Sequence, residues 1–196
     1  MVRKVIDPIE IIEKYYEPDS KAYYFLVRHG MVVANKAVEI ARAVAHLDPD
    51  IDFIREASIL HDIGIFLTNA PQIGCYGYKD YICHGYLGRE ILEREGLSRH
   101  ALVCERHVGV GITVEDIRRK NLPLPERDMV PETVEEKIIC IADKFFSKTQ
   151  YDLTHEKPIE KVKELIKDYG EDKLMIFKDW LSFFYNNGGN DEIHRS

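Results

Sequence analysis

Helical periodicity runs through almost the whole of this sequence of 196 residues. Apolar residues recur at the three- and four-residue spacing of a helix face, not at the alternating spacing of a half-buried strand. Helix-starting pairs such as Asp7-Pro8, and glycines suited to helix ends such as Gly64 and Gly96, divide the pattern into segments. The sequence therefore predicts an all-α fold in which short helices form a bundle around one core.

The start and stop signals predict where these helices lie. In the first part of the chain, helices are expected over about 8 to 16, 20 to 47, 51 to 61, 81 to 95 and 99 to 107. A short helix is expected from 113 to a stop before 122, another begins at a cap at 133, and the last two cover about 159 to 169 and 171 to 185. Thr133 and Glu136 have the spacing of a capping box, and Ser98 is the expected cap of the helix that follows it. The aromatic loop 68–79 is expected either to pack as an ordinary loop or to form a lid or base-stacking wall.

Composition restricts the classes of partner. Lys and Arg total 27 against 34 Asp and Glu, and the resulting net charge of −7 disfavours duplex nucleic acid. The apolar runs fall far short of the roughly 20 residues that span a bilayer, and the first residues lack an apolar signal core. We therefore expect a cytoplasmic protein with no membrane contact, and a small anionic substrate remains compatible because bound cations can dominate the local field.

The cysteines give no sign of a disulfide framework or of a zinc ribbon. No two of them form a Cys-x-x-Cys pair, and a chain of this length can bury a stable core without covalent staples. We expect Cys75, Cys83, Cys104 and Cys140 to be buried free thiols.

Six side chains that can bind metals occur in order along the predicted helices. They are His29, His61, Asp62, His84, His107 and Asp143. Taken singly, each histidine is more commonly a surface or a hydrogen-bonded core residue. Together, however, most successive members are separated by about one antiparallel helix and its loop, so a bundle can bring them to one interior point. Imidazole and carboxylate ligands suit Fe, Mn, Zn, Ni or Co.

Asp143 is the most informative of the six. It lies in an otherwise apolar stretch with Ile141 and Phe145 close to it, where a buried charge is costly unless it is compensated. A metal ion is one form of compensation. An ion pair with Lys144, Lys148 or an arginine is the other.

The ordered set resembles the HD superfamily of metal-dependent phosphohydrolases, and residues 61–64 read as its His-Asp-Ile-Gly signature. The wider text, from His84-Gly85 through Leu122-Pro123 to Ala142-Asp143-Lys144, resembles an uncharacterised group of this type that is common in archaea. The resemblance covers roughly residues 20–150. It implies a single HD domain over 1–196, with the N-terminal helix and two C-terminal helices packed on that core.

The resemblance also implies a ligand set. His29, His61, Asp62 and Asp143 would bind a first metal ion, and His84 and His107 would bind a second that is bridged by Asp62. A single metal is the alternative, with His84 as a core imidazole and His107 as a hydrogen-bonding residue at a helix end.

The implied activity is hydrolysis of a phosphomonoester, phosphodiester or phosphoanhydride of a small molecule, preferably a nucleotide, by attack of a metal-bound hydroxide. Asp62 is expected to orient that hydroxide. Arg106, Lys144 and Lys148 are candidates for binding the substrate, and the first two also for stabilising the transition state. Tyr78 is a further candidate for substrate contact. The segment after His107 lacks the Gly-Tyr-Pro of cyclic-di-GMP phosphodiesterases, which disfavours that substrate.

Other classes of protein remain open at this point. The same ligand order occurs in HD-fold di-iron oxygenases, and the ligands alone do not separate the two chemistries. A non-catalytic ligand-binding HD domain is a further alternative. A homodimer is also open, because the apolar C-terminal helix could cover the bundle or meet a second subunit; it carries Phe177, Trp180, Leu181, Phe183 and Phe184.

Overall fold

The structure is a computed structural model, and it describes residues 6–149 and 153–186. Nine α-helices are found in these ranges: α1 Pro8–Ile12, α2 Lys21–Ala43, α3 Ile51–Leu60, α4 His84–Arg94, α5 Ser98–Arg106, α6 Val114–Lys120, α7 Val134–Lys144, α8 Ile159–Lys167 and α9 Glu171–Asn186. A two-residue antiparallel pair, β1 Asn69–Ala70 with β2 Cys75–Tyr76, is the only sheet in the described part of the chain. The predicted all-α class is confirmed.

The long helix α2 organises the bundle. Ser20 caps it by accepting a hydrogen bond from the backbone N–H of Tyr23, as its short polar side chain favours. Helix α2 packs against both α3 and α7, while α4 and α5 pack against each other as an antiparallel pair. No helix in the described ranges has both the length and the apolar character needed to cross a bilayer.

Two apolar clusters form the core, and α2 contributes to both. Leu26 lies in the cluster that includes Ile63 and Ile91, whereas Val33 lies in the cluster that includes Ile139 and Phe177. His29 lies on α2 between these two positions. The fold therefore places a buried imidazole where the clusters meet.

Helix α9 covers the bundle with most of its aromatic face. Phe177, Leu181 and Phe184 are buried in the core, and Trp180 packs against it partly exposed. Phe183 is 44% exposed, so only this member of the predicted set turns away from the core. Core packing is the role that the structure gives to the helix, and the homodimer stays a prediction.

Gly64 does not cap a helix, so that prediction is wrong. Helix α3 ends at Leu60, its C-cap His61 has right-handed conformation, and a 3₁₀ turn, Ile63–Leu67, follows. A Cβ at Gly64 would lie 2.3 Å from the carbonyl oxygen of His84 and 2.5 Å from the backbone nitrogen of Gly88. The glycine is needed because this turn packs directly against the backbone of α4.

The capping box predicted at Thr133 is only half formed. Thr133 accepts a hydrogen bond from the backbone N–H of Glu136 at 3.2 Å, but the Glu136 carboxylate accepts from the N–H of Glu132 instead of Thr133. A complete box occurs at Thr113 and Asp116. The carboxylate of Glu136 is diverted because it also binds a guanidinium group from α5.

All four cysteines are buried and free, which confirms that prediction. The single domain over 1–196 includes residues outside the described ranges and stays a prediction.

Candidate metal centre

The six predicted ligands lie together in the interior. Their donor atoms form two groups, in each of which every donor lies within 4.8 Å of the others. One group contains His29, His61, Asp62 and Asp143, and the other contains Asp62, His84 and His107. All six side chains are buried, from 0% exposure for Asp62 to 8% for Asp143.

Most of these ligands are presented by the end of a helix. His61 is the C-cap of α3 with Asp62 directly after it, His84 opens α4, His107 is the C-cap of α5, and Asp143 lies in the last turn of α7. His29 is the exception, because it lies inside α2. The bundle brings these ends to one point through the packing of α4 on α5 and of α2 on α3 and α7.

Asp62 is the only residue common to the two groups, and its two oxygens face different imidazole pairs. Its Oδ2 lies 3.0 Å from Nε2 of His61 and 3.4 Å from Nε2 of His29. Its Oδ1 lies 3.2 Å from Nε2 of His84 and 3.5 Å from Nε2 of His107. This is the arrangement that a carboxylate bridging two ions requires.

Asp143 uses its two oxygens for different partners. Its Oδ1 lies 2.9 Å from Nε2 of His29 and 3.4 Å from Nε2 of His61, while its Oδ2 lies 2.6 Å from Nζ of Lys144. The ion pair left open by the sequence is therefore present at one oxygen of this carboxylate, and the other oxygen belongs to the group of donors that could hold a metal ion.

Three of the imidazoles are oriented by the backbone of their own helix end. The Nδ1 atoms of His61, His84 and His107 face the carbonyl oxygens of Ser58, Tyr81 and Cys104 at 2.6, 2.6 and 2.7 Å. Because a carbonyl oxygen only accepts, each Nδ1 must carry the proton. In all three residues Nε2 is then the ring nitrogen that faces Asp62, and it is the atom that a metal ion would bind.

Burial sets the protonation of three of the four imidazoles in the cluster. It lowers the pKa of His29 to about 4 and that of His84 to about 3, and it also lowers the pKa of His107. These imidazoles are neutral at neutral pH, which is the form that binds metals.

His61 and the two carboxylates behave in the opposite way. Burial disfavours the protonated form of His61, but the Asp62 and Asp143 carboxylates outweigh it and raise the pKa to about 9. Burial would also raise the pKa of each aspartate, yet the neighbouring cations hold both well below the usual range. The carboxylates are thus ionised, and the point between them and His61 favours positive charge.

Several polar atoms at the centre of the cluster have no hydrogen-bond partner. They include Nε2 of His61 and Oδ1 of Asp62, whereas Oδ2 of Asp62 faces the ammonium group of a lysine. Buried polar atoms are rarely left in this state in folded proteins. Since the donors are imidazole nitrogens and carboxylate oxygens, they fit divalent transition-metal ions.

Two lysines lie beside the cluster, as predicted from their positions in the sequence. Nζ of Lys148 approaches Oδ2 of Asp62 at 2.5 Å, and Nζ of Lys144 donates to the carbonyl oxygen of His107 at 3.0 Å. Both lysines and Asp143 line a cavity of about 470 Å³, which we call the metal-side cavity. Ser147 and Lys157 also line it.

The structure does not bring Arg106 or Tyr78 to the cluster. The Arg106 guanidinium is bound by Glu132 at 3.0 Å and by Glu136 at 3.1 Å, because these carboxylates flank the start of α7. Tyr78 is 86% exposed, the ammonium group of Lys79 lies over its ring, and it does not line the metal-side cavity.

Tyr81 is a site residue that the sequence reasoning missed. Its ring lies 4.8 Å from the ring of His84, its carbonyl orients that imidazole, and its side chain lines the metal-side cavity. Burial raises the pKa of its hydroxyl to about 12. Its position three residues before a ligand histidine at a helix start is the signal that points to it.

The chain matches the HD domain family over residues 26–147, a range that contains all six ligands. It therefore belongs to the HD domain family, and the superfamily predicted from the ordered ligands, a class of metal-dependent phosphohydrolases, is confirmed.

Similar proteins are known from archaea. An uncharacterized protein of Methanocaldococcus jannaschii is 36% identical over 121 residues, which cover 60% of this chain and 64% of that protein. A tRNA (cytidine(56)-2'-O)-methyltransferase of Thermoplasma volcanium is 32% identical over 140 residues, or 71% of this chain and 35% of that enzyme. The enzyme of the same name from Picrophilus torridus is 35% identical over 123 residues, which cover 62% of this chain and 31% of that enzyme. The chain thus spans less than two thirds of each of these relatives.

One solved structure resembles the whole chain. It is the HD domain of the L. monocytogenes phosphodiesterase PgpH in complex with cyclic-di-AMP. The TM-score is 0.52 at 18% sequence identity, and the match covers 95% of this chain and 100% of that domain. At this identity the likeness shows a common fold.

Proposed function

We propose that this protein is a metal-dependent phosphohydrolase that uses two divalent transition-metal ions to hydrolyse a phosphate ester or anhydride of a small molecule, a nucleotide. The observation that carries the proposal is the buried Asp62 carboxylate, whose two oxygens face separate imidazole pairs. Membership of the HD family supports the reaction class.

Each of the two donor groups would hold one ion. His29, His61, Asp62 and Asp143 would hold one ion, and Asp62 with His84 and His107 would hold the other. When bound, such ions supply Lewis-acid chemistry: they lower the pKa of a coordinated water and neutralise charge on phosphoryl oxygens.

The chain's own cations would complete the charge balance. Lys144 and Lys148 both line the metal-side cavity, where their ammonium groups can bind the phosphoryl oxygens and stabilise charge that develops in the transition state. Asp62 contacts both donor groups, and we assign it the orientation of the attacking water. Arg106 has no part in this mechanism, because Glu132 and Glu136 hold its guanidinium.

A small nucleotide is the substrate class that best agrees with the surroundings of the site. The metal-side cavity is lined by three lysines and has about 470 Å³, within the usual range for a small-molecule site. The similar HD domain of PgpH is described in complex with a nucleotide. The net charge of −7 still disfavours duplex nucleic acid as the substrate.

The metal assignment is tested by elemental analysis of protein purified without chelator. We expect two equivalents of metal in the wild type, loss of both in Asp62→Asn, and loss of one in His84→Ala. His46→Ala is the matched control, because His46 is exposed and remote from the donor groups. Full metal content in Asp62→Asn would contradict the proposed site.

The reaction is tested by a phosphate-release screen across nucleotide classes, run with and without oxygen. We expect release to proceed anaerobically, because hydrolysis needs no oxidant. Substrate consumption that requires oxygen and releases no phosphate would instead favour the di-iron oxygenase. Metal binding without turnover of any phosphate compound would favour a non-catalytic domain.

A further inference from the structure

A second cavity lies next to the metal centre and has no part in the mechanism above. It has a volume of about 250 Å³, and we call it the apolar cavity. Aliphatic side chains form most of its wall: Ile82, Val108, Val110, Ile112 and Leu122. A wall of this kind binds an uncharged, apolar part of a ligand.

The apolar cavity is connected to the metal centre by the chain and by a shared wall. The segment 108–112, which lines it, directly follows the ligand His107. Lys144 of the metal-side cavity donates to the carbonyl oxygen of His107, and Tyr169 lines both cavities. A ligand with an anionic end and an apolar end can therefore occupy the two cavities at once.

Two of the charged side chains at the apolar cavity compensate each other, and the third, Lys120, donates to the carbonyl oxygen of Tyr169 at 2.9 Å. Nζ of Lys173 lies 2.6 Å from Oδ2 of Asp116 and donates to the carbonyl oxygen of Gly111 at 3.1 Å. Both side chains of this ion pair are 8% exposed. Since this pair is neutral overall, it does not require a charged ligand group in the cavity.

Two features favour a planar ring over a flexible chain. Tyr169 is 51% exposed at the wall shared by the cavities, so its face is available for stacking on an aromatic ring. Gly109 has a φ of +64°, and a Cβ there would meet nothing within 4 Å, which leaves its backbone open for contact with a ring edge. The volume suits one ring system, whereas it is below the range usual for large ligands.

From this juxtaposition we propose that the apolar cavity binds the base of a nucleotide, stacked on Tyr169, while the phosphate lies beside Lys144 and Lys148. The position of the phosphate rests on the proposed hydrolase function. The base site stands on its own geometry, and it can be probed with ligands that carry no phosphate.

The test measures binding of adenosine, guanosine, cytidine and uridine to the protein as purified, by isothermal titration calorimetry. We expect at least one nucleoside to bind. Leu122→Trp fills the apolar cavity and should weaken that binding about tenfold or more, and Tyr169→Ala should do so through loss of stacking. The matched control is Leu124→Trp, in the same Leu-Pro-Leu-Pro segment but not on the cavity wall, and it should leave binding unchanged.

The outcomes separate this inference from the proposed function. If phosphate is released from nucleotides but no nucleoside binds, or Leu122→Trp and Tyr169→Ala both bind as well as the wild type, the base site is refuted and the hydrolase stands. If nucleosides bind and the variants weaken them while no phosphate is released, the base site stands alone. Preferential binding of a long-chain alkyl phosphate that Leu122→Trp abolishes would also overturn the inference.

Discussion

Replacing Lys173 by Met should destabilise the fold more than any change at an exposed lysine. Lys173 of α9 pairs with Asp116 of α6 at 2.6 Å, and Met keeps most of the volume of the side chain while removing its charge. The Asp116 carboxylate would then be buried without its closest cation. Removing one partner of a buried ion pair typically costs about 3–5 kcal/mol.

The lower end of that range applies here. Asp116 also accepts hydrogen bonds from the backbone N–H and hydroxyl of Thr113 and from the exposed Arg119, and these contacts survive the change. We therefore expect a loss of about 3 kcal/mol in the free energy of unfolding. For a chain of this length, that corresponds to a fall in Tm of roughly 6–12 °C.

Urea unfolding at a series of pH values measures this effect. Burial would raise the pKa of Asp116, but Lys173 and Thr113 outweigh it and hold the pKa well below its usual range. The stabilisation from the pair is thus present above the usual aspartate pKa near 4 and is lost as the pH falls below it. The difference between wild type and variant should shrink accordingly.

The control for this experiment is Lys167→Met, which removes a lysine from the exposed Lys167–Glu171 pair between α8 and α9. We expect no measurable change in the free energy of unfolding, because exposed ion pairs contribute little. A loss below about 1 kcal/mol for Lys173→Met, or one that stays constant down to pH 3, would refute the reasoning.

Three further outcomes follow from the structure. Gly64→Ala should lower the free energy of unfolding by about 3 kcal/mol, because the added Cβ would overlap the backbone of α4. Gly96→Ala, where the added Cβ has open space, should lower it by only about 1 kcal/mol. Calorimetry on the two variants measures the difference. Arg106→Gln should lower Tm but leave kcat for the best nucleotide unchanged, whereas Lys148→Gln should lower that kcat at least tenfold. Equal effects of the two substitutions on kcat would contradict the roles assigned to Arg106 and Lys148. Mn²⁺ or Zn²⁺ at a hundredfold excess over Kd should raise the free energy of unfolding by about 2.7 kcal/mol, which appears as a rise in Tm. A Tm shift of the same size in Asp62→Asn would show that the ions bind elsewhere.

The helices were largely predictable, but several of their ends were not. Capping residues such as Ser20 act through local hydrogen bonds, so the sequence carries that information directly. The helix expected to reach Tyr16 ends at Ile12 instead, and the Tyr16 hydroxyl donates to the carbonyl oxygen of Ile63 at 2.7 Å. A contact between residues so far apart leaves no trace in the local periodicity.

The metal centre was predictable for a related reason. Its ligands are chemically distinctive side chains at helix ends, and their order along the chain carries the family pattern. Cations were harder to assign, because nearness in sequence does not give the direction of a side chain. Lys144 and Lys148 point to the site, whereas Arg106 is captured by the carboxylates of Glu132 and Glu136.

The three imidazoles bound to a carbonyl three residues earlier have a consequence for metal selectivity. Because each hydrogen bond closes within one helix end, the ring is locked before any ion arrives, and little rotational entropy is lost on binding. The donor positions are then a fixed template to which the ion must conform. An ion that prefers a different coordination geometry must bind in a distorted one, because the donors do not move to suit it. Exchange of one metal for another should therefore change the binding affinity far more than it changes the structure of the protein.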